Sequence, residues 1–253
     1  FRSKKNGDCK MINNSNYSFK VFIDFDGTIT KEDVGANIFL RFGRQPEVFE
    51  IVDKIRNREI SNSEGWRQLF ASLPYVDTNE LIDFVNGFEI DAAFKSFISF
   101  LNENKVDHYI LSDGFDFYID RIMEREQLNS ISVFSNKLII GDQGELIPVF
   151  PYKDEECFNC ANCKRNHLIN LSADEEFTIY IGDGTSDICP AQHADFIFAK
   201  STLLKFCEQE RISFSPFFGF EDVTKKMKEI FSKKRLKKRH QAELKRRAVY
   251  MMG

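Results

Sequence analysis

No stretch of about 18 consecutive apolar residues occurs in this sequence, so no helix is expected to cross a membrane. Tryptophan is nearly missing, with a single copy among 253 residues. Cysteine is present only six times and without the spacing of a small disulfide scaffold. Residues Phe1–Lys10 carry charge but no apolar segment behind it, so no secretory leader is read there. Without an export signal, free thiols or a metal site are expected in place of disulfides, and the cytoplasm is the expected compartment. No internal repeat is visible. The four histidines, His108, His167, His193 and His240, form no pair or triad and are read as packing or surface residues.

What the chain has in excess is phenylalanine, 27 copies against 7 tyrosines, which points to a phenylalanine-rich core. Its length suffices for one large or two small domains. The formal charge is −4, unevenly spread. Between Phe231 and Gly253 nine Lys and Arg oppose only Glu243, a net +8, which leaves the remainder near −12. A nucleic-acid role is not favoured, because no recognisable binding fold accompanies the basic run. A solvated helix or arm that aids solubility or pairs with the acidic body is expected, and its removal should spare catalysis.

The apolar pattern predicts strands at 20–25, 106–112, 132–134, 177–181 and 195–199, with a hairpin joining 137–140 to 145–149 through the turn sequence GDQG. Helices are expected from 33 to about 101, with Asp33, Ser63 and Asp77 or Thr78 as N-caps, and again over 115–127. Strands separated by helices imply an α/β fold with a doubly wound parallel sheet. In such sheets ligands bind beyond the carboxyl ends of the strands. Three predicted strand ends carry polar, glycine-containing turns: Asp24-Phe25-Asp26-Gly27-Thr28, Ser112-Asp113-Gly114, and Gly182-Asp183-Gly184-Thr185-Ser186-Asp187. Backbone N–H groups in such turns approach an anion closely. Asp24, Asp26, Asp183 and Asp187 together make a negative site whose hard oxygen donors suit Mg²⁺.

The order DFDGT, strand-terminal Ser112, Lys164 and GDGTSD resembles the haloacid dehalogenase-like (HAD) hydrolase superfamily, over roughly residues 19 to 230. The resemblance implies a phosphoric monoester hydrolase with a Rossmann-like core at 17–32 and 104–230, a helical cap at 33–103 and a basic tail at 231–253. It implies Asp24 as nucleophile, Asp26 as general acid and base, and Ser112, Asp113, Gly114 and Lys164 around the phosphate. Mg²⁺ would be held by Asp24, the backbone carbonyl of Asp26 and Asp183, with Asp187 orienting Lys164 or a metal-bound water. Two departures stand out: Asp113 occupies a position where glycine is expected, and GDGTSD replaces a more usual GDSxTD.

A cap between the first two motifs implies a small phosphorylated metabolite. SEGWRQLFASLP (Ser63–Pro74), ILSDGFDFYI (Ile110–Ile119), the Cys-rich stretch before Lys164 and FAKSTLLKFC (Phe198–Cys207) are similar to the methionine-salvage phosphatase branch. Phosphoserine and phosphocholine phosphatases share the cap type. By similarity to phosphoserine phosphatase, Asp33 and Arg67 are candidate substrate contacts; a helix cap and a solvated side chain are the plainer readings. A catalytically inactive binding or regulatory protein on the same fold is the alternative. Cys157, Cys160 and Cys163 raise the possibility of a structural Zn²⁺ site, with Cys189 or His167 as a fourth ligand. Loop packing or a labile disulfide are the other readings of that stretch.

Overall fold

The computed structural model describes residues 17–141, 144–157 and 159–252. One sheet contains β1 (Phe19–Ile23), β2 (Asp107–Phe115), β3 (Ser132–Ile140), β4 (Leu146–Val149), β5 (Phe177–Gly182), β6 (Phe196–Ala199) and β7 (Ser215–Pro216). The strand order is β4-β3-β2-β1-β5-β6-β7, parallel throughout except for the β3–β4 pair. The central strands FKVFI and FTIYIG are almost wholly apolar because helices cover both faces. The chain winds outward from β1 to β3 and then restarts on the other side of β1 with β5. That reversal opens a crevice at the strand ends. Ile23 lies in register with Ile110 and Ile181, so the residues that follow emerge at one level.

Five helices separate β1 from β2: α1 (Val34–Phe42), α2 (Glu47–Arg56), α3 (Asn62–Ser72), α4 (Thr78–Asn86) and α5 (Phe94–Glu103). Asp33 caps α1, accepting from the Ala36 N–H at 2.7 Å, and Asp77 caps α4 through Asn79. The cap of α3 is Ser61, not Ser63. Ser61 has the extended backbone a cap needs and accepts from the Glu64 N–H at 3.2 Å, whereas Ser63 is already inside the first turn. The two stems of this segment are paired: Lys31 donates to Glu89 O at 3.0 Å and Asp91 donates to Ile29 O at 2.8 Å. Beyond the stems, α5 lies with the sheet layer. Phe94 and Phe97 pack on Phe220 of α10 (Phe220–Phe231), with ring centroids 4.7 and 5.1 Å apart.

The pieces expected at 132–134 and 137–140 are one strand, β3. Asn136 does not break it, because its buried side-chain N–H donates to Asp113 O at 2.8 Å. The central residues of the GDQG turn lie outside the described residues, as does the segment Phe1–Lys10. Strand β7 is two residues long and ends on proline, too short to leave a pattern. The core is rich in phenylalanine, with Phe22, Phe25, Phe94, Phe97, Phe198 and Phe220 fully buried.

The basic tail is docked rather than solvated. The helix α8 (Ile188–His193) ends in carbonyls that no further helical turn satisfies. Arg239 donates to two of them, Ala191 O and Gln192 O, each at 2.8 Å. Arg246, on α11 (His240–Met252), donates to His193 O and, at 3.0 Å, to the carboxylate of Asp195. Both members of this ion pair are buried. Truncation after Phe231 would therefore strip Asp195 of its partner and cost stability. Arg246→Ala should lower unfolding free energy by about 3–5 kcal/mol in denaturant titration, the usual result of orphaning one half of a buried pair. Arg247→Ala, which breaks an exposed pair with Glu243, should change it by no more than about 0.5 kcal/mol.

Candidate active site

Three strand ends supply the site. Asp24 follows β1, is buried, and is fixed by its own N–H donating to Ile181 O at 2.9 Å. Gly27 adopts φ +72°, and a Cβ there would lie 2.9 Å from Asp183 Oδ2, so the DFDGT turn needs glycine at this point. From the first turn of α7 (Lys164–Asn170), the buried Lys164 ammonium donates to Asp24 Oδ1, to Asp187 Oδ1 at 2.8 Å and to Ser186 Oγ at 3.1 Å. Burial disfavours the charged amine, but Asp187 and Asp24 outweigh it and keep Lys164 protonated.

Asp187 is saturated. Its Oδ1 also accepts from the Tyr180 hydroxyl at 2.7 Å, and its Oδ2 accepts the N–H groups of Asp183 and Gly184 at 2.9 and 2.8 Å. The carboxylates of Asp24, Asp183 and Asp187 have oxygens within 4.8 Å of one another. Burial, then the charge of Asp187, pushes the Asp24 carboxyl well above its ordinary range, with Lys164 opposing. The same two causes push Asp183 up to about 6. This much crowded negative charge, with Asp187 already engaged, leaves Asp24 and Asp183 as hard oxygen donors that fit a divalent cation.

Asp26 stands apart from that cluster. Its Oδ2 accepts from Tyr118 OH at 2.7 Å and Ser112 Oγ at 3.2 Å, and its Oδ1 from the Val34 N–H at 3.0 Å. Burial first, then the nearby Asp33, raises its carboxyl to about 7. Ser112 in turn accepts the Gly114 N–H at 2.9 Å. A Cβ at Gly114 would sit 1.6 Å from the Tyr118 hydroxyl, so only glycine lets the β2 loop and α6 (Asp116–Arg125) close on Asp26 together.

A cleft of about 560 Å³ opens above these groups between the strand-end loops and α1, α2 and α3. Asp24, Asp26, Asp33, Asp113, Gly114 and Asp183 line its floor and sides. Asp33 therefore both caps α1 and faces the cleft. Arg67 does not join them: its guanidinium lies 5.0 Å over the Phe150 ring on the exposed side of α3, and Arg56 is the arginine at the cleft. The side chain of Asp113 turns away from Ser112 toward Asn162 and Asn62. Tyr118 and Tyr180 were not singled out in the sequence. Tyr180 offered a signal, as a hydroxyl set within an otherwise apolar strand.

The zinc reading gains no support. Among the described residues, Cys157, Cys160 and Cys163 do not bring three donor atoms together, and the only such group is the aspartate cluster. His167 is engaged with Asn162 Oδ1 at 2.8 Å. Cys163 is buried, which pushes its thiol up to about 11.

A parallel sheet with its winding reversal at β1, an aspartate pair two residues apart, a buried lysine and an acidic strand-end loop together define a phosphatase of HAD type, a phosphoric monoester hydrolase. Residues 19–211 match the family described as Putative Phosphatase, and the chain belongs to that family. It is 36% identical over 221 residues to the 2-hydroxy-3-keto-5-methylthiopentenyl-1-phosphate phosphatase of Bacillus mycoides (strain KBAB4), covering 86% of this chain and 99% of that one. The enzyme of the same description from Bacillus cereus (strain ATCC 10987 / NRS 248) is 35% identical over 225 residues, with the same coverage. Among solved structures the fold is similar to a phospho-aspartyl intermediate analogue of phosphoserine phosphatase, with TM-score 0.65 at 18% identity over 83% of this chain and 99% of that one. It is also similar to a HAD family hydrolase from Salmonella enterica subsp. enterica serovar Typhi, with TM-score 0.66 at 19% identity over 82% and 70% of the two chains. The inactive-protein alternative is not favoured.

Because the charge of Asp33 helps hold the Asp26 proton, Asp33→Asn should lower the Asp26 pKa. A reaction that needs Asp26 protonated loses rate as pH rises through that pKa. The basic limb of the kcat/KM profile, expected near pH 7 in the parent, should therefore move to lower pH in Asp33→Asn. Asparagine remains a good N-cap, so α1 is preserved. An unmoved limb would separate Asp33 from the titration of Asp26.

Proposed function

We propose that the protein hydrolyses a small phosphomonoester through an aspartyl-phosphate on Asp24. The observation that carries this reading is the different company of two carboxyls one residue apart: Asp24 is bonded to the Lys164 ammonium, while Asp26 is bonded to the Tyr118 and Ser112 hydroxyls. Asp24 Oδ attacks phosphorus and forms the O–P bond as the ester P–O bond breaks. Asp26 passes its proton to the departing alkoxide. As a carboxylate it then takes a proton from water, whose oxygen attacks phosphorus and breaks the Asp24–phosphate bond, releasing inorganic phosphate. Lys164, the Ser112 hydroxyl and the N–H groups of Asp113 and Gly114 hold the phosphoryl oxygens. Asp187 keeps Lys164 in place. Mg²⁺ held by Asp24, Asp183 and the Asp26 carbonyl would neutralise charge between nucleophile and phosphate.

Helices α1 to α4 act in this reading as the cap, with the paired stems at Ile29–Lys31 and Glu89–Asp91 as its attachment. Its inner wall favours the substrate of the methionine-salvage relatives. Phe39, Val48, Phe49, Val52, Trp66 and Leu69 present an apolar surface to the cleft. A methylthio tail suits that surface. Phosphoserine would instead bring an ammonium and a carboxylate, for which the cleft wall offers Asp33, already engaged as the cap of α1, and Arg56. We therefore assign 2-hydroxy-3-keto-5-methylthiopentenyl 1-phosphate as the preferred ester.

Steady-state hydrolysis of this ester, phosphoserine and phosphocholine tests the assignment; a higher kcat/KM for phosphoserine would overturn it. Asp24→Asn should abolish turnover and phosphate incorporation into protein, and Asp26→Asn should reduce kcat by about 10²–10⁴-fold. Activity retained by Asp24→Asn rules out the covalent route. Chelation should remove activity and Mg²⁺ restore it. Ca²⁺, larger and with more ligands, should bind without restoring it.

A further inference from the structure

Asp113 is a half-buried carboxylate that the reaction above uses only through its backbone. Its side chain joins three parts of the molecule. Oδ1 accepts the N–H of Asn162 at 2.8 Å, and Oδ2 accepts the Asn62 side-chain amide at 3.2 Å. The indole of Trp66 lies close enough to favour the ionised carboxyl. Asn62 and Trp66 are four residues apart on α3, so they share one face, and both line the cleft. A carboxylate offers an acceptor oxygen to each of the two donors, Asn162 and Asn62, whereas an amide would set a donor against one of them.

On the core side the connection continues to the catalytic amine. The Asn162 side chain donates to Ser112 O at 2.8 Å and Phe134 O at 2.9 Å and meets His167 Nε2 at 2.8 Å. The backbone carbonyl of Asn162 accepts the backbone N–H of Lys164 at 3.0 Å. The first residue of α3 is tied to the same loop a second time, because the Asn62 N–H donates to Asn159 O at 3.1 Å. That N–H is one of the orphan donors at a helix start, which explains why α3 begins at this loop.

We propose that Asp113 is a positioning residue that latches helix α3 to the loop carrying Lys164, so that filling the cleft against Asn62 and Trp66 sets the phosphate site. The latch rests on the phosphatase reading for its purpose but has a readout of its own. Trp66 is the sole tryptophan of the chain. Its emission reports the state of the latch directly.

The experiment compares the parent protein with Asn62→Ala, Asp113→Ala and the double variant, by fluorescence with inorganic phosphate and by hydrolysis of the methylthio ester. Phosphate saturation should change Trp66 emission in the parent. Asp113→Ala should lose that change even where calorimetry shows phosphate bound. Each single variant should lose about tenfold in kcat, and the double variant should be no worse than Asp113→Ala alone, the signature of residues acting through one contact. Losses that multiply in the double variant, or a Trp66 response that survives in Asp113→Ala, overturn the latch. Asn62→Ala alters only a half-buried side chain, so it decides the matter if Asp113→Ala does not fold: unchanged kcat with an unchanged Trp66 response refutes the proposal. Should the parent hydrolyse none of the esters, the functional reading fails, and the fluorescence comparison still judges the latch.

Discussion

The ammonium of Lys164 is the charge on which the site depends. It lies buried between Asp24 and Asp187, with Asp183 close by. Two like charges about 4 Å apart repel by roughly 4 kcal/mol at an effective dielectric near 20. Three carboxylates at one set of strand ends would therefore protonate or push the loops apart without a cation among them. The fold invests heavily in holding that amine. Asp187 spends one oxygen on Lys164 and Tyr180 and the other on two backbone N–H groups of its own loop. The lysine thereby locks β5's turn as well as β1's, and leaves Asp24 and Asp183 facing the cleft.

Burial raises both carboxyls of the DFDGT turn, but their partners differ. Asp24 and Asp26 are separated by one residue, Phe25, whose ring enters the core while the turn at Gly27 carries the chain back. Asp24 faces the ammonium. Asp26 faces a tyrosine hydroxyl, a serine hydroxyl and a second acid, Asp33, with no cation bonded to it. Two carboxyl groups with such different partners are suited to different roles: a cation beside Asp24 offsets the charge of the proposed nucleophile, and hydroxyls orient Asp26 as the proposed proton donor.

Much of this was legible in the sequence because the chemistry sits at strand ends. DFDGT, SDG and GDGTSD each follow an apolar run, and a parallel sheet brings such ends to one edge whatever lies between them. Lys164 was legible by its order among those motifs and by the helix it opens. Arg67 was not legible, since position along α3 does not reveal which face meets the cleft; the helix turns it outward to Phe150. Ser61 and Ser63 are equally good caps in composition, and only the tie from Asn62 to Asn159 selects the earlier one. The tail read as a charged run, yet its arginines find unsatisfied carbonyls at the end of α8, a feature of tertiary packing with no local signature.

Asp113 shows where pattern reading and geometry part most clearly. In sequence it is a departure beside the phosphate-loop serine, and its charge suggests a place at the phosphate. An anion beside a bound phosphate would repel it, and the structure turns this carboxylate the other way, onto donors from α3 and the Asn162 loop. Its backbone stays next to Ser112 while its side chain holds the neighbouring elements. A glycine at that position would serve the phosphate equally well but would leave the Asn162 N–H and the Asn62 amide without their acceptor. Burying such donors unpaired costs about 1–3 kcal/mol each. The departure thus has a physical reason: the irregular end of β2 proposed to hold the phosphate is also the one against which α3 is seated.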